Sequence, residues 1–160
     1  MAVDMFIKIG PIKGESKDAT HKEEIDVLAW SWGMANSGTT HMGGGGGSGK
    51  VAVQDLSFTK YVDKSTPDLI QSCCNGKHFD QAVLVVRKAG ETPLEYLTIT
   101  MEQVLISSIS TGGSGGEDRL TENVTLNFAK FKVKYIEQTE KGAAGAKPEA
   151  GWDIAGNVKQ

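Results

Sequence analysis

Apolar residues alternate with polar ones, or gather into short apolar runs, in eight segments of this chain. That is the pattern of strands with one face on a core and the other in water. The segments run Met5 to Ile9, Glu24 to Gly33, Val51 to Val62, Ala82 to Ala89, Leu94 to Met101, Gln103 to Thr111, Leu120 to Tyr135 and, briefly, Gly151 to Ile154. Most are rich in Val, Ile, Thr, Phe and Tyr, which suit a pleated surface. Glycine occurs 20 times against 4 prolines, clustered in corners between the apolar runs. The pattern predicts turns in an all-β domain rather than a flexible linker, with one domain over residues 1–160.

Two of the longer segments change phase. Val124, Leu126 and Phe128 are apolar at even positions, whereas Phe131, Val133 and Tyr135 are apolar at odd ones, so the inward face switches near Ala129-Lys130. Val51 and Val53 likewise give way to Leu56 and Phe58 across Gln54-Asp55. A one-residue slip turns every following side chain to the other face, so a bulge or a bend between sheets is expected at both places. In Glu24 to Gly33, the bulky Leu28, Trp30 and Trp32 share one face, expected in the core, and Val27, Ala29, Ser31 and Gly33 share the other. The small face packs on an opposite sheet or helix, or opens onto a channel or partner; the residues leave both open.

One helix is predicted, about Pro67 to Asn75. Thr66 can cap it, Pro67 suits the first helical position and Gly76 the left-handed exit. Leu69, Ile70, Cys73 and Cys74 would form its apolar face. Residues 136–150, including the stretch Gly142 to Glu149, read as a variable linker before the short C-terminal strand.

Composition narrows the function classes. The chain is 39% hydrophobic and 23% charged, as ordinary globular proteins are. A net charge of -3 gives no basic field for nucleic acid or anionic lipid. No run reaches the ~18 apolar residues that would span a bilayer, so membrane insertion is not expected. The first ten residues lack the basic region and apolar run of a signal peptide, which predicts a protein made and folded in the cytoplasm. Cys73 and Cys74 are adjacent, a spacing that strains a disulfide, and read as reduced, small apolar residues.

Candidate chemistry is sparse. Gly44, four residues, then Gly49-Lys50 matches most of a phosphate-binding loop, but Val51 stands where Ser or Thr would hold magnesium. Such a loop must also open a helix, and Val51 to Val62 reads as strand; a long β-loop is the expectation. His21, His41 and His78 lie in separate polar segments without ligands at metal spacing, and are expected as solvated loop residues. Glu117, Asp118 and Arg119 are consecutive on a glycine corner, a solvated turn or the register-setting charges of an interface. No catalytic, cofactor-binding or metal-binding residue is assigned, and an enzyme is not expected.

Leu28-Ala29-Trp30-Ser31-Trp32-Gly33, Asp55-Leu56-Ser57-Phe58-Thr59-Lys60-Tyr61, Gly76-Lys77-His78 and Ser110 to Phe128 resemble the Hcp (haemolysin-coregulated protein) family. Its members are inner-tube subunits of the bacterial type VI secretion apparatus. The run Ser110 to Val124 is the most specific part, and the resemblance extends from Met1 to about Tyr135. It implies a compact β-barrel of two antiparallel sheets with one short helix on its flank and a long Gly-rich loop. It also implies homohexameric rings stacked into a tube, ejected inside a contractile sheath from a baseplate, tipped by a VgrG-type spike and carrying small effector proteins in its lumen. Export without a signal peptide would then be expected: cytoplasmic when made, extracellular after ejection.

By position, the resemblance makes Ala29 and Ser31 lumen- and effector-facing. The loop Asn36 to Lys50 would reach the neighbouring ring through Thr40, His41, Met42, Gly43, Gly44, Gly45, Gly46, Gly47, Ser48, Gly49 and Lys50. The corner Gly112, Gly113, Ser114, Gly115, Gly116, Glu117, Asp118 and Arg119 supplies subunit-interface candidates.

Overall fold

In the computed structural model, residues 3–38, 49–90 and 92–160 are described. The chain is mainly β, with two sheets and one helix among the described residues. Its elements are β1 (Val3–Ile9), β2 (Ile25–Asp26), β3 (Ala29–Ser31), β4 (Met34–Ala35), β5 (Ala52–Val53), β6 (Leu56–Tyr61), α1 (Thr66–Asn75), β7 (His78–Lys88), β8 (Leu94–Thr111), β9 (Thr121–Asn127), β10 (Lys130–Tyr135), β11 (Glu149–Asp153) and β12 (Val158–Lys159).

The main sheet runs β12-β11-β10-β8-β7-β1-β2, and a second wing, β3-β6-β9, joins it along β8. All these pairs are antiparallel. The pairings return on themselves through the segment between β2 and β3. There the Val27 N–H donates to the Met5 carbonyl of β1 (2.9 Å), and the Leu28 N–H to the Thr59 carbonyl of β6 (2.8 Å). The core lies inside this circuit, with Ile7, Ile9, Ile25, Leu56, Phe58, Leu84, Ile99, Met101, Ile106, Val124 and Leu126 essentially inaccessible.

Both expected phase switches fall at breaks in the ladder. β5 ends before Gln54-Asp55, and β9 and β10 are separated by Phe128-Ala129, with Phe128 and Phe131 buried on either side. The segment read as one strand from Glu24 to Gly33 is instead split into β2 and β3. Ile25 and Val27 are buried, but Leu28 is 39% exposed, and Trp30 and Trp32 only lean on the core. Leu28 is therefore not a core residue, because the chain switches phase there as it leaves β1 to bond β6. Conversely, Leu94 to Met101 and Gln103 to Thr111 are one 18-residue strand. Gln103 takes a left-handed φ of 55° at the bend, so the strand turns without breaking.

α1 ends as expected, with Gly76 at φ 67° donating its N–H to the Ser72 carbonyl. Thr66, however, is the first helical residue and does not cap the helix; Ser65 precedes it. The buried face is Thr66, Leu69 and Ser72, while Ile70 and Cys74 are exposed. The helix is rotated to bring Thr66 into a polar cluster, which turns two of the predicted apolar residues outward. The stretch read as linker turns back at Gly142 (φ 78°) and brings β11 alongside β10, from Lys134↔Glu149 to Lys130↔Asp153.

Lys60 and Glu122 follow the inward phase of β6 and β9 and are 0% and 1% exposed. They sit opposite each other in the ladder and form an ion pair. The Thr66 hydroxyl donates to Glu122 at 2.6 Å, and Asp63 lies 3.0 Å from the Lys60 ammonium. The pair thus ties the start of α1 to the barrel wall. Removing one partner of a buried pair strands the other's charge, at a cost of about 3–5 kcal/mol, whereas replacing both with apolar residues is often tolerated. Chemical denaturation of Lys60→Met is expected to show a loss of that size, and the double variant Lys60→Met/Glu122→Met should recover most of it.

Candidate functional site

β3, β6 and β9 alternate, and the end of β8 pairs with β9 across a register shift between Ile106 and Ser108, so the residues between the core positions form a second surface. In register they make two rows: Ala29, Thr59, Asn123 and Ser110, then Ser31, Ser57, Thr125 and Ser108. None is charged, and none is larger than Asn or Thr. Ala29, Ser31, Asn123, Ser108 and Ser110 are exposed, and the others half-buried.

The polar groups of this wall bond mainly to one another. Thr59 donates to the Asn123 side-chain carbonyl at 2.7 Å, and the Thr125 hydroxyl lies 2.7 Å from those of both Ser107 and Ser108. At the lower corner, Asp55 accepts from Ser107 (2.7 Å) and Asn127 (2.9 Å), joining three bending strands. The hollow lined by Ala29, Ser31, Ser57, Thr59 and Asn123 holds about 200 Å³, below the ~300 Å³ where small-molecule sites begin. Trp30 and Trp32 pack on the core side; Trp32 donates to the Gln54 carbonyl and meets the Phe131 ring edge-on at 4.9 Å. Such a wall suits contact with another surface rather than capture of a small ligand.

Ala29 and Ser31 lie exposed on this open face. The sequence pattern does not single out their six partners in the rows, although Ser57, Thr59, Asn123 and Thr125 sit at the outward phase of two clear strands. Only the pairing reveals that the small residues fall side by side.

The loop expectation falls largely on residues 39–48, outside those described; Thr40, His41, Met42, Gly43, Gly44, Gly45, Gly46, Gly47 and Ser48 are among them. At its base β4 pairs with β5, Met34↔Val53 and Ala35↔Ala52, and Asn36 donates to the Gly49 carbonyl at 2.8 Å. Lys50 thus leads into a strand, without the helix a phosphate loop requires.

Gly112 to Arg119 are all exposed. None of the corner glycines uses a left-handed φ; at Gly113 alone a Cβ would collide with the Leu120 side chain. The Arg119 guanidinium lies 3.6 Å from the centre of the Tyr61 ring, a cation–π contact within the chain. Glu117 and Asp118 make no salt bridge among the described residues.

Of the histidines, His78 is exposed as expected. His21 is not a solvated loop residue: it is 8% exposed and stacks on Phe6 at 4.5 Å, 13° from parallel. Nδ1 lies 3.0 Å from Glu24 and Nε2 2.7 Å from Glu95. Burial works against its charge, but these carboxylates outweigh it and raise its pKa above the ordinary 6.5. Beside it, hydrogen bonds from Arg87 hold the Asp18 carboxyl well below the usual carboxylate range.

The chain matches the family model described as "Type VI secretion system effector, Hcp" over residues 6–135. It is 68% identical to Protein hcp1 of Pseudomonas aeruginosa, covering 99% of each chain. Its structure is similar to that of Hcp1 from Salmonella typhimurium, with a TM-score of 0.84, 41% identity and complete coverage of both chains. It is also similar to a type VI secretion system effector from Yersinia pestis, with a TM-score of 0.76 and 37% identity over 94% of this chain and all of that one.

A strand follows Lys50 where a phosphate-binding loop would open a helix. ATP or GTP with magnesium is accordingly expected to leave the melting temperature unchanged. A rise that grows with nucleotide concentration, as linkage demands of a ligand for the folded state, would overturn that reading.

Proposed function

Because this chain belongs to the Hcp family of type VI secretion proteins, we propose that it is a ring-forming subunit of the ejected inner tube, whose lumen is lined by the small, uncharged wall of β3, β6, β9 and β8. The observation that carries the proposal is the two-row wall itself. It spans four strands, is free of charge, and is too shallow to be a pocket.

The edges of that wall support a ring. Among the described residues, β3 pairs with β6 alone, and beyond His78↔Leu105 the end of β8 pairs with β9 alone. Two different edges on one subunit favour head-to-tail contacts between copies, which close into a ring when the rotation allows. In the proposal the exposed corner Gly112 to Arg119 meets a neighbouring copy, with Glu117 and Asp118 setting register. The loop over residues 36–50, standing on the β4–β5 ladder, reaches the next ring. Small effector proteins contact Ala29 and Ser31, and the spike, sheath and baseplate are its other partners. The role is structural and not catalytic, and it carries the protein from the cytoplasm to the outside of the cell.

Negative-stain microscopy with light scattering tests the assembly. Rings of six copies are expected, and monomer at every concentration would remove the proposal. Ser31→Gln should leave the rings intact while reducing co-purification of lumenal cargo about tenfold, the effect of losing ~1.4 kcal/mol of contact. Cargo yield unchanged from wild type would count against the lumenal face. Reversing the charge of Glu117 or Asp118 to Lys should weaken assembly, read by sizing, with little change in the unfolding midpoint, since interfacial charges fix orientation more than they add core stability.

A further inference from the structure

On the outside of the barrel, residues 13–24 lie across the outward face of β1 and β7. The strap is paired mainly with itself: the Gly14 N–H donates to the Glu23 carbonyl, the Ser16 N–H to that of Glu24, and the Glu23 N–H to that of Ser16. It covers Phe6, an outward-pointing residue of β1 that is 4% exposed yet outside the core cluster.

The strap is held to the barrel by side chains. Asp18 takes two hydrogen bonds from Arg87 of β7, at 2.6 and 3.0 Å, and Arg87 also reaches Asp4 of β1. Glu15 accepts from the Lys64 N–H at 2.7 Å. The third tie is His21, which links the strap's own Glu24 to Glu95 of β8 while stacking on Phe6.

That third tie has a strict chemical condition. Both ring nitrogens face carboxylates, and only the imidazolium has two N–H donors; the neutral ring must offer a lone pair to one of them. The other charged groups cannot compensate. Among the described residues Glu24 and Glu95 form salt bridges only with His21, while Arg87 is already engaged by Asp4 and Asp18. Without the proton, Glu24 and Glu95 lose the one salt-bridge partner they have among the described residues.

We infer that the strap over residues 13–24 is a protonation-controlled latch: the His21 imidazolium closes it between Glu24 and Glu95, and loss of that proton loosens it and uncovers Phe6. A closed state that binds the proton more tightly than the open one is stabilised at low pH and loses that stability as pH rises through the closed-state pKa, which lies above 6.5. The Asp18–Arg87 and Glu15–Lys64 contacts persist, so the strap loosens rather than detaches. The latch lies on the outer face of β1 and β7 and does not depend on the proposed function of the wall.

Hydrogen exchange of the strap amides from about pH 6 to about pH 9, corrected for intrinsic rates, tests the latch. In the wild type, protection should fall by up to about tenfold per pH unit above 6.5. In His21→Gln it should be flat with pH, and in Glu95→Gln the fall should be smaller and level off at a lower pH. A flat wild-type profile, or the same fall in both variants, would overturn the inference. So would an imidazole resonance of His21 titrating at or below 6.5 in the wild type, a measurement that requires neither variant to fold.

Discussion

An antiparallel strand can turn only one alternating set of side chains toward a core, and the rest of this structure follows from how the chain meets that limit. To wrap one core, the long segments switch phase at Leu28, at Gln54-Asp55 and at Phe128-Ala129, while β8 bends at Gln103 without breaking. Each switch exchanges inward for outward positions. Asp55 binds two of these bends together through Asn127, and through Ser107 ties them to the register shift in β8. The corners are thus both the points where the ladder is weakest and the points where side chains replace it.

The same limit separates two chemistries on the same strands. The inward positions of β6 and β9 carry Leu56, Phe58, Val124 and Leu126, and then Lys60 facing Glu122. The outward positions in the two rows carry only Ser, Thr and Asn. Charge is buried where it fixes the entry to α1, and absent where a partner would lie. A buried pair contributes little net stability compared with apolar packing, so its evident work is positional: it fixes the start of α1 against the wall. An uncharged wall, in turn, holds no strongly hydrated groups that a passing protein surface would have to strip of water.

Local residue chemistry was enough to read strands, the single helix with its Gly76 exit, two of the bends and the small face at Ala29 and Ser31. It was also enough to discount a phosphate loop, since Val51 and a following strand deny it both magnesium and a helix. The Hcp likeness rested on contiguous motifs, and similarity over nearly the whole chain bears that family out.

What the sequence by itself determined was therefore whatever depends on neighbours along the chain: alternation, turn chemistry, motif order. Tertiary structure alone decided whatever depends on residues far apart in sequence. Lys60 meets Glu122, His21 meets Glu95, Ser31 lines up with Ser57, Thr125 and Ser108, and α1 rotates Ile70 and Cys74 outward to seat Thr66. The physical reason is that a polar residue's partner, unlike a strand's period, is set by register across the sheet. A lysine at an inward position and a histidine in a polar loop look ordinary until the strand beside them is known.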